Sequence, residues 1–395
     1  MPTSQKESQT KICIPRKMLF SFILIFLGAS VPLIVGEVFV RSFPWIMDSH
    51  ASIRFRQYDS LIGISLIPNS VGPHHRGCFR GEIKINHLGM RDRERAITKQ
   101  EGTFRIALLG DSIIEGVHVL PDEVVNIQME RKFAERGFEN IEVLNFGIAS
   151  IGTTQELLIY ETRVRNFDPD LVVLVFLTGN DIMNNSLTIQ SKMYGIHTWY
   201  SPYWDIDENG AMEFRPVQRR PMHHLRSFLE NRSLLIHYVE RIWARVNFGH
   251  ETWRGMPLGW GVFGDPLDVE WRQAWEITER LLDLFNKTVK ADATEFLVLV
   301  LPEAFEYDKN WRPDDAPPQL KPARAIQRLQ EIAVRRRIRL DSLGQYFQRV
   351  STGEKLQWPY FSHRCDTHFT AFGHEVLAEA ITDKLEKQAL LPVLK

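Results

Sequence analysis

Residues 104–112 read FRIALLGDS. The first six form a short apolar run that ends at a glycine, a pattern that predicts a β-strand followed at once by a turn. Two similar runs follow, IEVL at 141–144 and LVVLVFL at 171–177. The last is apolar throughout, as expected for a strand buried on both faces of a parallel sheet. Between these two runs, Thr153 and Glu156 have the spacing of a helix capping box. The stretch therefore opens a domain of alternating strands and helices.

Strand and helix patterns alternate again towards the C-terminus. A helical pattern covers 271–289, the apolar run FLVLVL covers 296–301, a short strand is predicted at 338–340, and a last helix covers 376–385. This repetition predicts an α/β fold, a three-layer α/β/α sandwich around a mostly parallel sheet. In such sheets the ligand site lies at the carboxyl ends of the strands.

The patterns also suggest domain limits. Residues 42–100 contain several prolines and many polar residues, and we expect them to be an irregular stem and lead-in; 101–390 then form the α/β domain. Inside this domain the alternation stops between 183 and 268, a length sufficient for a cap over the site. Several tryptophans between 199 and 275 either pack this insertion or line a substrate groove.

An uncharged apolar segment, MLFSFILIFLGASVPLIVG, occupies 18–36. A helix of this length would rise about 28 Å, enough to cross the hydrocarbon core of a membrane. Basic residues lie before it within 1–17, so the positive-inside rule predicts a single-pass signal anchor with a cytoplasmic N-terminus and a catalytic domain outside the cytoplasm. The alternatives are a cleaved signal peptide, a buried core helix, and a membrane-anchored lipase that faces the cytoplasm.

Composition excludes several classes of function. The formal net charge is −1 and no long basic run occurs, so nucleic acid is not an expected partner. The three cysteines, Cys13, Cys78 and Cys365, form neither a disulfide framework nor a zinc pattern. Cys78 and Cys365 could pair if the domain lies outside the cytoplasm. No cluster has the spacing of metal ligands, and no metal or other cofactor is expected.

Candidate catalytic residues follow the predicted strands. Ser112 ends a Gly-Asp-Ser turn after the first strand, Gly147 follows the second, and Asn180 follows the third within Gly-Asn-Asp. Because parallel strands end at one edge of a sheet, these residues are expected to share a cleft. Near the C-terminus, Asp366 and His368 stand two residues apart. An aspartate on a loop can orient a histidine that acts as a general base.

In this order and in these positions, the motifs resemble the SGNH hydrolase superfamily, also called GDSL-type esterases and lipases, whose fold is flavodoxin-like. The resemblance covers residues 100 to 390 apart from the insertion. It implies that Ser112 attacks an ester carbonyl and that His368, oriented by Asp366, is the base. It also implies that the oxyanion is held by the N–H groups of Ser112 and Gly147 and by the side-chain amide of Asn180.

The last motif departs from the family pattern. Many members have Asp-x-x-His, whereas Asp366-Thr367-His368 is Asp-x-His, the form found in bacterial polysaccharide O-acetylation proteins of the same superfamily. His363 and His374 flank this motif and are alternative bases. The spacing therefore leaves open both the identity of the base and the choice between hydrolysis and acyl transfer.

The resulting prediction is a membrane-anchored serine esterase that hydrolyses acyl or acetyl esters on a small molecule, a glycan or a lipid. One alternative is an O-acyltransferase that modifies a cell-surface or secreted polysaccharide with the same residues; a cap that excluded water would favour it. Another is a non-catalytic glycan-binding protein on the same fold. The complete set of predicted site residues favours an enzyme.

Overall fold

The computed structural model describes residues 16–43, 53–76, 79–195, 200–218, 233–248, 250–303, 306, 316–353, 361–363 and 368–392. The helices are α1 (Arg16–Ser42), α2 (Ser112–Glu115), α3 (Val125–Glu135), α4 (Thr153–Thr162), α5 (Asp181–Asn184), α6 (Leu187–Tyr194), α7 (Leu234–Asn247), α8 (Val269–Ala291), α9 (Ala323–Arg336), α10 (Gly344–Gly353) and α11 (Ala371–Lys387). The strands are β1 (Arg56–Asp59), β2 (Gly63–Leu66), β3 (Val71–Arg76), β4 (Phe79–Lys84), β5 (Phe104–Leu109), β6 (Ile141–Asn145), β7 (Leu171–Leu177), β8 (Tyr203–Ile206), β9 (Met212–Arg215), β10 (Thr252–Trp253), β11 (Met256–Pro257), β12 (Glu295–Leu301) and β13 (Leu340–Ser342).

The chain forms two compact units, and the smaller one contains α1 and the first part of α7. Within it, the Glu37 carboxylate accepts hydrogen bonds from the Ser233 hydroxyl at 2.8 Å and the Leu235 N–H at 3.0 Å. The predicted membrane span at 18–36 lies inside α1. None of the helices that the structure describes has the combined length and apolarity needed to cross a membrane, so the predicted span is not confirmed.

Five strands of the larger unit form a parallel sheet in the order β13–β12–β7–β5–β6. β7 and β12 pair along their whole length, and β5 lies between β7 and β6. The chain adds β6 on one side of β5 and then crosses over to add β7, β12 and β13 on the other. The switch point of the sheet, where a crevice opens beyond the carboxyl ends, therefore lies between β5 and β7.

Alternate residues of each strand pack into two separate cores, one on each face of the sheet. Because both faces are buried, the strands are continuous apolar runs in the sequence. In β7, Val172, Leu174 and Phe176 belong to a core that includes residues of α4, α8 and α9. Leu171 and Val173 belong to the other core, with residues of α3, α10 and α11. Helices thus cover both faces of the sheet, and the predicted α/β fold with a parallel sheet is confirmed.

The lead-in contains more regular structure than the sequence indicated. β1–β2 and β3–β4 are antiparallel hairpins within the segment predicted to be irregular. Phe55, Leu66, Ile83 and Val117 form a small core that joins these hairpins to the loop after α2. β4 reads FRGEIK, with buried and exposed residues alternating. That alternation, which is typical of a half-buried strand, is the signal that could have predicted it.

Two local predictions shift by one or two residues. Helix α4 begins at Thr153 and its N-cap is Gly152, whose N–H donates to Gln155 Oε1 at 3.0 Å. The capping box predicted from Thr153 and Glu156 is therefore wrong, because the reciprocal partner is one residue earlier and Glu156 is buried. The short strand predicted at 338–340 is found at Leu340–Ser342.

Candidate active site

Ser112 lies three residues after the end of β5, a strand between β7 and β6, and is the first residue of the short helix α2. The Asp111 carboxylate caps this helix by accepting a hydrogen bond from the Ile113 N–H at 3.1 Å. Gly110 permits the tight turn, because a Cβ at this position would lie 2.5 Å from Ile114 Cγ1. Strand, glycine and cap together place Ser112 at the carboxyl edge of the sheet, beside the switch point.

His368 meets Ser112 although 256 residues separate them in sequence. The Nε2 atom of His368 lies 2.8 Å from Ser112 Oγ, a distance suited to proton transfer. The backbone near His368 is held in place: its carbonyl accepts a hydrogen bond from the His363 N–H at 3.0 Å, and Phe369 pairs with Ser362 in an isolated bridge. The structure thus brings the predicted nucleophile and the predicted base together.

Asp366, the residue predicted to orient His368, lies outside the described residues. The same holds for Cys78 and Cys365. The role of Asp366 and the pairing of the two cysteines both stay predictions.

Two of the predicted oxyanion donors are next to each other. Asn180 is the N-cap of α5, directly after β7, and its side-chain amide donates to the Asp111 carboxylate. An amide carries two hydrogens, so the second can serve a substrate oxygen. The backbone N–H of Ser112, at the first position of α2, has no acceptor among the described residues. Both groups therefore lie at Ser112 and can each donate a further hydrogen bond.

Gly147, the third predicted donor, packs against α2. A Cβ at this position would lie 2.4 Å from the Glu115 nitrogen, so only glycine fits. The N–H of Gly147 donates to Asn145 Oδ1 at 2.8 Å. The structure therefore places Gly147 beside the nucleophile helix, with its N–H engaged by a neighbouring side chain.

Imidazole rings surround the predicted base. The ring of His118 stacks on that of His368, with centroids 3.9 Å apart and planes inclined by 12°. His118 is buried and also contacts Phe79 edge-on. Burial, with a smaller effect of the Arg91 charge, lowers the pKa of His374 to about 3. His374 is therefore neutral at ordinary pH, and it packs against Gly116 rather than against the nucleophile.

Buried carboxyl groups interact with Asp111, the residue before Ser112. Burial raises the pKa of Asp111, while the hydrogen bond from Asn180 opposes this shift. Burial and the charge of Asp111 raise the pKa of Glu156 well above its ordinary value, and burial, Glu156 and Asp111 do the same for Asp181. Within the described residues, no group of three or more histidine, cysteine, aspartate or glutamate side chains is arranged to hold a metal ion.

Two residues of the site were missed by sequence reasoning. Glu303 follows β12, so the rule that placed the other site residues after strands could have identified it. His118 stands in the loop after α2, and nothing in its local sequence distinguishes it from a surface histidine.

Comparison with known proteins finds similar folds only among solved structures. No protein-family model matches the chain, and no curated protein matches it. A lipase/acylhydrolase from Enterococcus faecalis is 15% identical with a TM-score of 0.38, and the alignment covers 72% of this chain and 97% of that one. An acetyl xylan esterase is 13% identical with a TM-score of 0.38, covering 71% and 100%. The esterase EstA from Pseudoalteromonas sp. is 9% identical with a TM-score of 0.39, covering 73% and 99%.

At identities of 9–15% and TM-scores of 0.38–0.39, these likenesses assign no activity to this chain. Similarity in fold does not extend to activity, because unrelated reactions occur on one fold. The function of this chain is therefore inferred from its own residues.

Proposed function

We propose that this chain is a serine esterase of the SGNH type that hydrolyses acyl or acetyl esters. The observation that carries the proposal is the 2.8 Å distance between Nε2 of His368 and Oγ of Ser112. A serine paired with a histidine is the arrangement that acyl transfer to an enzyme requires. The free donors beside Ser112 support the same conclusion.

In the proposed reaction, Ser112 Oγ attacks the ester carbonyl while His368 Nε2 takes the hydroxyl proton. The N–H of Ser112 and the amide of Asn180 stabilise the oxyanion, each by about 3 kcal/mol. His368 then donates its proton to the leaving alcohol, and an acyl-enzyme remains on Ser112. Water, activated by His368, releases the acid by the same route. We assign the orientation of His368 to Asp366.

The proposed substrate is an acylated small molecule, glycan or lipid. Transfer of the acyl group to a polysaccharide hydroxyl would use the same acyl-enzyme and differ only in the acceptor. Product analysis with and without a sugar acceptor separates the two reactions. Release of free acid alone, whatever acceptor is offered, supports hydrolysis, whereas an acylated acceptor supports transfer.

Labelling with a fluorophosphonate probe tests the nucleophile. The wild-type protein should be labelled at Ser112, and Ser112→Ala should lose both the label and esterase activity, by at least about 10³-fold. Ser150→Ala is the matched control, because Ser150 is an exposed serine on the loop after β6 and should label like wild type. His368→Ala should slow labelling by about 100-fold or more. Persistent labelling of Ser112→Ala would falsify the assignment.

The location of the enzyme stays a proposal from sequence. The basic residues before the apolar segment 18–36 predict that the catalytic domain lies outside the cytoplasm. A reporter that is active only outside the cytoplasm, fused after residue 395, should be active. An inactive reporter, with a cytoplasmic reporter active in its place, would contradict the orientation.

A further inference from the structure

Glu303 brings a carboxyl group to the site from the strand next to β7. It stands two residues beyond the end of β12, whose last residue pairs with the last residue of β7. Its side chain lies against Gly179, since a Cβ at Gly179 would be 2.2 Å from Glu303 Oε1. Glu303 is therefore beside Asn180, one of the predicted oxyanion donors.

The backbone of Glu303 is fixed, while its carboxyl group is not engaged. The N–H of Glu303 donates to Glu306 Oε2 at 2.6 Å and to Thr178 Oγ1 at 3.3 Å, and the Thr178 hydroxyl also donates to Glu306. No described residue donates a hydrogen bond to the carboxyl group of Glu303, and the residue is half-buried. A carboxylate in this position can accept hydrogen bonds from a bound molecule.

Asp111 and His368 both influence the charge of this carboxyl group. Burial and the negative charge of Asp111 raise the pKa of Glu303 to about 7, and the positive charge of His368 opposes the shift. Glu303 therefore lies within electrostatic reach of His368. Since His368 protonates the departing alcohol in the proposed reaction, the alcohol portion of a bound ester lies on this side of the site.

We propose that Glu303 is a specificity-determining residue that accepts a hydrogen bond from a free hydroxyl group on the alcohol portion of the ester. This role rests on the proposed esterase activity. The preferred substrates are then esters of polyhydroxy alcohols, such as partly acetylated sugars. A hydrogen bond to a carboxylate is stronger than one between neutral groups, which favours such alcohols over those with no second hydroxyl. A negatively charged alcohol portion is repelled.

Comparison of two substrates tests this role. Methyl glucoside carrying one acetyl group offers free hydroxyls, whereas p-nitrophenyl acetate offers none. For the sugar ester, kcat/KM should fall about 10-fold in Glu303→Gln and about 100-fold in Glu303→Leu, because the charge and then the acceptor are lost. For p-nitrophenyl acetate it should change less than about 3-fold. Equal losses on both substrates, or no loss on the sugar ester, would overturn the proposal.

Three further measurements keep the outcomes distinct. Glu295→Gln, at the exposed start of the same strand, should behave like wild type on both substrates. Fluorophosphonate labelling of Glu303→Gln at the wild-type rate shows that the variant folds with an intact nucleophile. If Ser112→Ala remains active on either ester, the esterase proposal itself fails; loss of both activities in Ser112→Ala with no selective effect at Glu303 overturns this proposal alone.

The pH dependence gives an independent readout. The groups that face Glu303 are Asp111, His368 and Glu306, and Glu303→Gln retains all three, so their contribution to the pH dependence is present in both proteins. The ratio of kcat/KM for the sugar ester to that for p-nitrophenyl acetate therefore reports Glu303 itself. It should rise through about pH 7 in wild type, as the carboxylate forms, and stay flat in Glu303→Gln. The same rise in both proteins would contradict the assignment.

Discussion

His118 lies flat on His368 at the centre of the site. A ring stacked at 3.9 Å fixes the plane in which the base presents Nε2 to Ser112. During the proposed reaction His368 takes a proton and becomes a cation. An aromatic face against a cation stabilises it, and the effect is larger in a partly buried site. We therefore regard His118 as a positioning residue that acts through His368.

Substitution of His118 tests this contact. His118→Ala should lower kcat roughly 10-fold with KM nearly unchanged, because the loss affects the charged base and not substrate binding. His118→Phe keeps an aromatic ring and should recover most of kcat. Steady-state kinetics on p-nitrophenyl acetate provide the measurement, and His250→Ala, an exposed histidine, is the control. A His118→Phe enzyme as slow as His118→Ala would exclude positioning by stacking.

At the scale of single residues, the sequence correctly predicted the position of candidate site residues that belong to recognisable turns after strands. Ser112 and Asn180 follow β5 and β7, and these strands flank the switch point. His118 could not be predicted, since its role depends on a ring contributed by a residue 250 positions away. Such contacts arise only from tertiary packing, which local sequence patterns do not contain.

Among the elements, the first hairpin of the lead-in is joined to α2, the helix that begins at Ser112. Arg56 on β1 donates to the carboxylate of Glu115, the last residue of α2. Glu115 is fully buried, and it also accepts a hydrogen bond from the Ala149 N–H at 2.9 Å. The lead-in therefore supplies the counter-charge for a carboxylate located three residues after Ser112.

Removal of this counter-charge should destabilise the fold. Arg56→Ala removes the ion-pair partner of the buried Glu115 carboxylate, and we expect the free energy of unfolding to fall by about 3 kcal/mol. Glu115→Gln combined with Arg56→Ala should recover part of the loss, because a neutral amide is cheaper to bury than a charge. Urea unfolding gives the values. Arg80→Ala, an exposed arginine on β4, should change them by less than about 0.5 kcal/mol. No difference between Arg56→Ala and this control would argue against the ion pair.

The long elements of the α/β domain were predictable because their apolar patterns are strong. β7 and β12 bury both faces and read as unbroken apolar runs, and α8 repeats its buried residues at helical spacing. The strands of the lead-in were missed because they are only four to six residues long and rich in polar residues, and one of them contains a proline. Strand β3 contains Pro73 and still pairs with β4 along its length. In β3, the hydrogen bonds to β4 therefore outweigh the low intrinsic preference of proline for a β-strand.

At the scale of the whole domain, buried acids from three elements interact with one another near Ser112. Asp111 precedes α2, Asp181 begins α5, and Glu156 lies in the first turn of α4. Asp181 Oδ2 accepts a hydrogen bond from the Leu177 N–H at 2.6 Å, but neither oxygen of Glu156 has a partner among the described residues. Three acids in one buried region cannot all be charged, because each charge raises the cost of the next.

Glu156 should therefore make the stability of the domain depend on pH. Burial and the charge of Asp111 raise the pKa of Glu156 in the folded state, so the folded protein keeps a proton that the unfolded chain releases above the ordinary carboxyl range. The contribution of Glu156 to the free energy of unfolding is then greatest at low pH and falls by about 1.4 kcal/mol per pH unit as pH rises towards the folded pKa. Glu156→Gln stays neutral and lacks this loss.

The free energy of unfolding of Glu156→Gln relative to wild type should therefore increase between pH 5 and 7 in urea titrations. Glu161→Gln, exposed at the end of the same helix, is the control and should give a constant difference from wild type. Parallel curves for Glu156→Gln and wild type would mean that Glu156 is ionised in the folded protein.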